Sequence, residues 1–217
     1  MAIVVRTLSE QVFEIVREQI VTGKLVGNTP IRQDALASEL GVSKIPLREA
    51  LARLEQEGLL TSHANRGYAV RPMSAVEADD IFALRLSIEP NAAAYASTVA
   101  TESDHAIAKA AFEELDSAAG ERLAEVAIAN RVFHTALVRP GRRLLTTQMV
   151  ERLAILAERY VVAHLQPAGR EDRAHLEHRE LLDTWLARDE ARLTTLLASH
   201  IRSTLLDLRG QFGSSSD

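Results

Sequence analysis

The segment 41–60, GVSKIPLREALARLEQEGLL, places a proline at the start of a helix that a turn of only a few residues separates from the helix before it. That arrangement restricts the fold more than any other feature of the chain. Leu47, Ala50, Leu51 and Leu54 recur at three- and four-residue spacing, the stripe of an amphipathic helix. Pro46 would break such a helix in its interior. With Ser43 as N-cap it falls at the third helical position, where the backbone N–H has no intrahelical partner to lose. Gly41 closes the preceding short helix, 32–40, whose inward residues are Leu36, Ala37 and Leu40. The tight turn aims the later helix away and leaves its first turn exposed.

Two further elements complete this unit. Residues 7–23 begin with Thr7 and Glu10 in capping-box spacing and continue with the stripe Leu8, Val12, Ile15, Val16 and Ile20, with Gly23 as C-cap. After Gly58, LLTSH and YAVRPM are strand-like and enclose the turn-rich HANRG, with Asn65 and Gly67. The order helix, helix, tight turn, helix, hairpin is that of a winged helix-turn-helix.

From residue 74 onward only helical periodicity is present. Segments 75–100, 102–119, 121–138, 142–165, 169–188 and 189–212 read as six helices, with Pro140-Gly141 and Gln166-Pro167 at two boundaries. In the first of these, Ile81, Leu84, Ile88 and Ala92 share a face. Short connections and no intervening strand predict an antiparallel bundle. The fold class is therefore mainly α, a winged helix-turn-helix over 1–73 and an all-α bundle over 74–212, with a disordered tail over 213–217.

Charge is divided unevenly. Residues 1–73 hold nine Lys/Arg and eight Asp/Glu; residues 74–217 hold sixteen and twenty-two, a net −6. A DNA-binding head on an acidic body is compatible with this. The absence of cysteine excludes disulfides and thiolate metal sites. No apolar run approaches the roughly 18 residues of a membrane span, so no membrane association and a cytoplasmic location are expected.

In the head, Lys44 and Arg48 project together from the exposed first turn, beside free N–H groups that suit phosphate. In a DNA major groove, Arg48 is suited to guanine or phosphate, Lys44 to phosphate, and Ser43 to capping and phosphate together. Arg66 at the hairpin tip would reach the minor groove or the backbone, and Gly67 would allow close approach. A solvated charged face accounts for the helix alone; the hairpin, with Arg66 at its tip, favours DNA.

In the body, Asn130 and His134 lie four apart on one helix face, His178 beside the stripe Leu181, Leu182 and Trp185, and His200 in line with Leu193, Leu196, Leu197 and Thr204. Three inward histidines on three helices can converge on a first-row metal, although a single histidine on an apolar face is ordinarily a core residue. His105, His164 and His175 read as surface or boundary residues. Arg85 and Glu89, four apart, read as an intrahelical ion pair worth a few tenths of a kcal/mol.

The run LASELGVSKIPLREALARLEQEGLL with the later NRGYAV closely resembles the DNA-binding domain of GntR-family bacterial transcription regulators, over residues 7–72. Two departures stand out. Gly27-Asn28 replaces the frequent Pro-Gly, and Asp34 lies near a position where some members carry a DNA-contacting arginine, for which Arg32 is the substitute. NRVFHTAL, EHRELL and ASHI resemble the all-helical FCD effector domain of the FadR-like branch, and the six helices its smaller, VanR-type version. The resemblance implies a divalent metal, zinc or nickel, on Asn130, His134, His178 and His200. Asn130 stands where Asp is commoner, which should weaken metal binding. It also implies that Arg85, in LRLSIEP, faces a cavity and holds the carboxylate of a small organic-acid effector.

The function expected is a ligand-responsive regulator that binds double-stranded operator DNA as a homodimer. A helical-bundle metalloenzyme using the same histidines, with Glu177 or Glu180 as base, is the alternative. A DNA-binding architectural protein whose body only dimerises is a third.

Overall fold

The computed structural model describes residues 7–63, 67–118, 123–165, 167 and 169–213. The chain divides into two compact units, Met1–Met73 and Ser74–Asp217. In the first, α1 (Leu8–Val21), α2 (Gln33–Glu39) and α3 (Lys44–Gln56) precede β1 (Leu60–His63) and β2 (Gly67–Val70). Thr7 caps α1 through a complete capping box: its hydroxyl accepts from Glu10 N at 3.2 Å, and Thr7 N donates to Glu10 Oε2 at 2.7 Å. Ser43 is the N-cap of α3, so Pro46 is indeed the third helical residue, but the Ser43 side chain makes no capping bond. Its capping role is the backbone's alone, and its hydroxyl is exposed.

β1 and β2 pair antiparallel with Leu60 opposite Val70 and His63 opposite Gly67. The other edge of β2 is covered by 28–31: Asn28 N donates to Val70 O and Ile31 N to Tyr68 O, each at 2.8 Å. The Gly27-Asn28 pair meets the demands of this connection. A Cβ on Gly27 would lie 2.8 Å from Pro72 Cα, and Asn28 has φ +65°, the left-handed region that asparagine tolerates better than most residues. Leu47, Ala50, Leu51 and Leu54 of α3 are buried, as their stripe requires, with Val12, Val16 and Ile20 of α1; Leu8 (51% exposed) and Ile15 (42%) of the expected α1 stripe are exposed instead, because the inward face of α1 runs through Phe13.

In the second unit, the described residues form α4 (Ala75–Val99), α5 (Glu102–Ala118), α6 (Leu123–Val138), a 3-10 turn (Arg139–Gly141), α7 (Leu144–Leu165), α8 (Arg170–Leu186) and α9 (Glu190–Gly213). Gly213 ends α9, so the helix extends one residue into the expected tail; 214–217 lie outside the described residues. No helix among the described residues is long and apolar enough to cross a membrane. α4 packs chiefly on α9 and α7, and α6 lies between α5 and α7. Trp185, Tyr160, Phe82, Phe112 and Phe133 fill the core.

One helix face departs from its sequence reading. Leu84 is 41% exposed and Ile88 is half-buried, whereas Ile81, Phe82, Arg85, Glu89 and Ala92 are buried. The inward face of α4 is rotated so that it carries a salt bridge. Arg85 donates from Nε to Glu89 Oε1 at 2.6 Å and from Nη2 to Oε2 at 3.1 Å. At 3% and 1% exposure this is a buried bidentate pair, not the solvated one expected from i, i+4 spacing.

Candidate functional site

The head presents Arg32, Ser43, Lys44 and Arg48 at its surface. Arg32 occupies the N-cap position of α2. Lys44 Nζ lies 2.5 Å from Asp34 Oδ1, both well exposed, so a phosphate contact by Lys44 competes with Asp34. No ion pair of Arg48 occurs among the described residues. Gly67 has φ +76°, where a side chain would be strained, and its Cβ position is 3.4 Å from Gln33 Nε2. Arg66 lies outside the described residues.

In the body, α6, α8 and α9 bring His134, His178 and His200 together, with one ligand atom from each all within 4.8 Å of one another. The ring centroids are separated by 5.5 Å for His134–His178, 5.3 Å for His134–His200 and 4.7 Å for His178–His200. Convergence follows from three helices each turning its histidine inward. Both ring nitrogens of His134 and Nε2 of His178 are buried without a hydrogen-bond partner. Such groups are costly unless something else satisfies them. His200 is held differently: its Nδ1 is 2.6 Å from Glu177 Oε2, which leaves Nε2 as its available nitrogen. A carboxylate on the far nitrogen is the usual way to orient a metal-ligating imidazole.

These histidines line a cavity of about 50 Å³, together with Asn130, Arg85, His164 and His175. That is room for roughly four waters, or for a compact carboxylate of similar bulk. His164 and His175 are therefore cavity residues, contrary to their reading as bland positions. His164 is 5% exposed, and His175 Nδ1 contacts Asp116 Oδ1 at 2.8 Å. His164 follows Ala157, Tyr160 and Val161 at helical spacing, so the signal for its inward position was available. Glu177 and Glu89 stand four residues after Arg173 and Arg85, but nothing in that spacing identifies a histidine as a further partner.

Burial keeps His134, His164 and His178 uncharged near neutral pH. Burial pushes His134 down to about 4, against the opposing pull of Glu89, whose Oε2 lies 3.5 Å from Nδ1. Burial also depresses His178 well below the ordinary imidazole value and brings His164 to about 4, the latter partly offset by Asp207. For Glu89 burial acts upward, but the Arg85 charge and its hydrogen bonds, with His134, outweigh it and hold the carboxyl at about 2.

These shifts share one sign in stability. Between about pH 6.5 and 4 the unfolded chain binds protons that folded His134, His164 and His178 refuse, so stability falls as pH drops through that window. Glu89 adds stability that is complete above its usual 4.5 and lost as pH falls toward 2. Chelator-treated protein should therefore show a urea midpoint lower at pH 5 than at pH 7, by on the order of a few kcal/mol in stability. A midpoint constant across that range would mean that these histidines are not buried uncharged.

A winged head with an exposed recognition helix and a helical body holding a small cavity, apolar-walled with a few polar groups, define a DNA-binding regulator with a ligand-binding domain. Comparison with known proteins gives the particular family. Residues 8–70 match the model for bacterial regulatory proteins of the gntR family, and residues 80–203 match the FCD domain. The chain belongs to the GntR family, in its FCD-containing form.

The HTH-type transcriptional regulator BphR of Paraburkholderia xenovorans (strain LB400) is 33% identical, over 96% of this chain and 88% of that protein. The HTH-type transcriptional repressor GlaR of Escherichia coli (strain K12) is 32% identical, over 85% and 88%. The fold is shared with E. coli McbR/YncC, at a TM-score of 0.77 and 24% identity, covering 96% of this chain and 100% of that one. The protein is a transcription regulator and not an enzyme. Of the two candidate bases of the enzyme reading, Glu180 pairs with Arg192 at 2.7 Å on the surface, and Glu177 is hydrogen-bonded to His200 of the triad.

Proposed function

We propose that this regulator acts in the cytoplasm as a homodimer. Its units over 1–73 bind operator DNA, and its unit over 74–212 holds a divalent metal ion, zinc or nickel, and a small carboxylate effector. One head offers few base contacts, and two-fold pairing supplies two half-sites. Arg48 reads a base or holds phosphate, with Lys44, Ser43, Arg32, Arg66 and Gly67 at the backbone. The metal would be held by His134, His178 and His200 with the Asn130 carbonyl. The ion would act as a Lewis acid toward a carboxylate.

The observation that supports this most is the unpartnered ring nitrogens of His134 and His178 beside His200 in one cavity. A tetrahedral zinc needs ligand atoms about 3.4 Å apart, a modest contraction of the triad. Arg85 gives two N–H groups to Glu89, and the rest of its guanidinium remains for an effector carboxylate.

Elemental analysis after incubation with zinc or nickel and gel filtration should find metal in the native protein and strongly reduced content in His134→Ala and His178→Ala. Melting temperature should rise with metal in the native protein only. A native protein that takes up neither ion, or two variants that load equally well, would remove the site.

A further inference from the structure

A second cavity of the body, about 180 Å³, lies between α5, α6, the 3-10 turn and α7, and shares no lining residue with the histidine cavity. Thr135 lines it at 5% exposure, and its hydroxyl has no hydrogen-bond partner among the described residues. Other helical threonines of the body are satisfied locally. Thr194, Thr195 and Thr204 donate to the carbonyl oxygen four residues earlier, at 2.8, 3.1 and 3.1 Å. Thr135 makes no such bond, and a buried hydroxyl left so is costly unless something else satisfies it. The charged residues around the cavity decide what can. Arg131 Nε donates to Glu158 Oε1 at 2.7 Å and Arg139 Nη2 to Glu151 Oε1 at 2.5 Å, so both guanidiniums are matched. Asp104 has no cation opposite it. Thr101 donates to its Oδ2 from N at 2.8 Å and from Oγ1 at 2.7 Å, which leaves Oδ1 without a bond among the described residues. Arg142 and His105 act on its charge only from beyond salt-bridge distance.

The remaining wall is apolar: Ile107, Val132, Ala136 and Pro140, with Ile107 56% and Val132 37% exposed. An unmatched carboxylate, a buried hydroxyl without a partner and an alkyl wall complement one kind of small molecule. We propose that this cavity is a second ligand site of the body and that it takes a small alkylammonium ion. The ammonium group pairs with Asp104 and donates to the Thr135 hydroxyl, while the alkyl chain covers the apolar wall. Charge selects a cation over an anion, because a carboxylate would meet two guanidiniums already matched and one carboxylate that is not. The volume of about 180 Å³ is room for roughly a dozen waters, and so for a chain of about six carbons. The site is independent of the metal reading and gives the body a second place at which a small molecule can act.

The test titrates the chelator-treated full chain at pH 7 with hexylamine, butylamine and hexan-1-ol, followed by ligand-observed NMR. Hexylamine should bind saturably and hexan-1-ol at least tenfold more weakly, since the alcohol lacks the charge. Each methylene buried is worth up to about fourfold in affinity, so butylamine should bind up to roughly tenfold more weakly than hexylamine. Asp104→Asn should weaken hexylamine on the order of tenfold. The asparagine oxygen can still accept from Thr101, so the start of α5 is kept. Thr135→Val should weaken it severalfold and melt no lower than the native protein, because that hydroxyl has no partner to lose. The proposal is overturned if hexylamine does not bind saturably, if hexan-1-ol binds as tightly, or if both variants bind hexylamine as the native protein does. A Thr135→Val protein that melts several degrees lower would show that the hydroxyl is already satisfied, and would overturn its role as a ligand contact.

Discussion

Replacing Glu89 by alanine should destabilise the body by about 3–5 kcal/mol, because it leaves the Arg85 guanidinium buried without a counter-charge. Arg85 is 3% exposed and Glu89 1%, and the pair is bidentate at 2.6 and 3.1 Å. A loss of that size is a large share of a domain's typical stability of about 5–15 kcal/mol. For a body of this length it corresponds to a fall in melting temperature on the order of 10 °C. Pro90 follows Glu89 inside α4 and withholds a donor from the helix ladder, so this stretch has less local helical support than its neighbours. The double replacement Arg85→Met with Glu89→Leu should be far milder than either truncation alone, since it removes both charges and keeps volume. Thermal unfolding of both proteins decides the matter. A Glu89→Ala protein that melts within a degree or two of the native one would show that Arg85 reaches solvent, and that the pair is not a buried one.

Arg48→Ala should abolish sequence-specific DNA binding while leaving the fold intact. Arg48 projects from α3 into solvent, opposite the buried Leu47, Ala50, Leu51 and Leu54, so truncation costs no packing. A bidentate contact from arginine to guanine is worth about 1–3 kcal/mol of discrimination, and the proposed dimer would lose it at both half-sites. Affinity for a fragment carrying the operator should fall about a hundredfold or more. Binding to unrelated DNA should change little. Lys44→Ala should weaken binding to all sequences alike and reduce its salt dependence. Mobility shifts with operator and unrelated DNA at two salt concentrations separate these outcomes. Unchanged operator preference in the Arg48→Ala protein would move base reading to another part of the head.

The head was legible because its signals are local. A capping box, a glycine after a short helix, a proline in a first turn and two strand-like runs each act within a few residues. Even the departure at Gly27-Asn28 obeys a backbone rule, which only the position of Pro72 makes visible. The body was legible in part. Helical period placed His134, His178 and His200 on inward faces, since that period depends on the chain alone.

The rotation of α4 could not be read the same way. Apolar side chains occur on several faces of that helix, so counting them did not single out the one that is buried. Arg85 and Glu89 occupy it because each neutralises the other, a possibility that a count of apolar residues ignores. Glu177 on His200 and Glu89 beside His134 depend on how α4 packs on α6 and α8 on α9, which no spacing within one helix encodes. What the sequence by itself determined was therefore the order and ends of the elements, the winged head and which histidines turn inward, because these follow from backbone conformation and helical period. The tertiary structure alone decided that three imidazoles meet within 4.8 Å, and that the carboxylates touching them are already matched by arginines. Both depend on the relative rotation and distance of helices far apart in the chain.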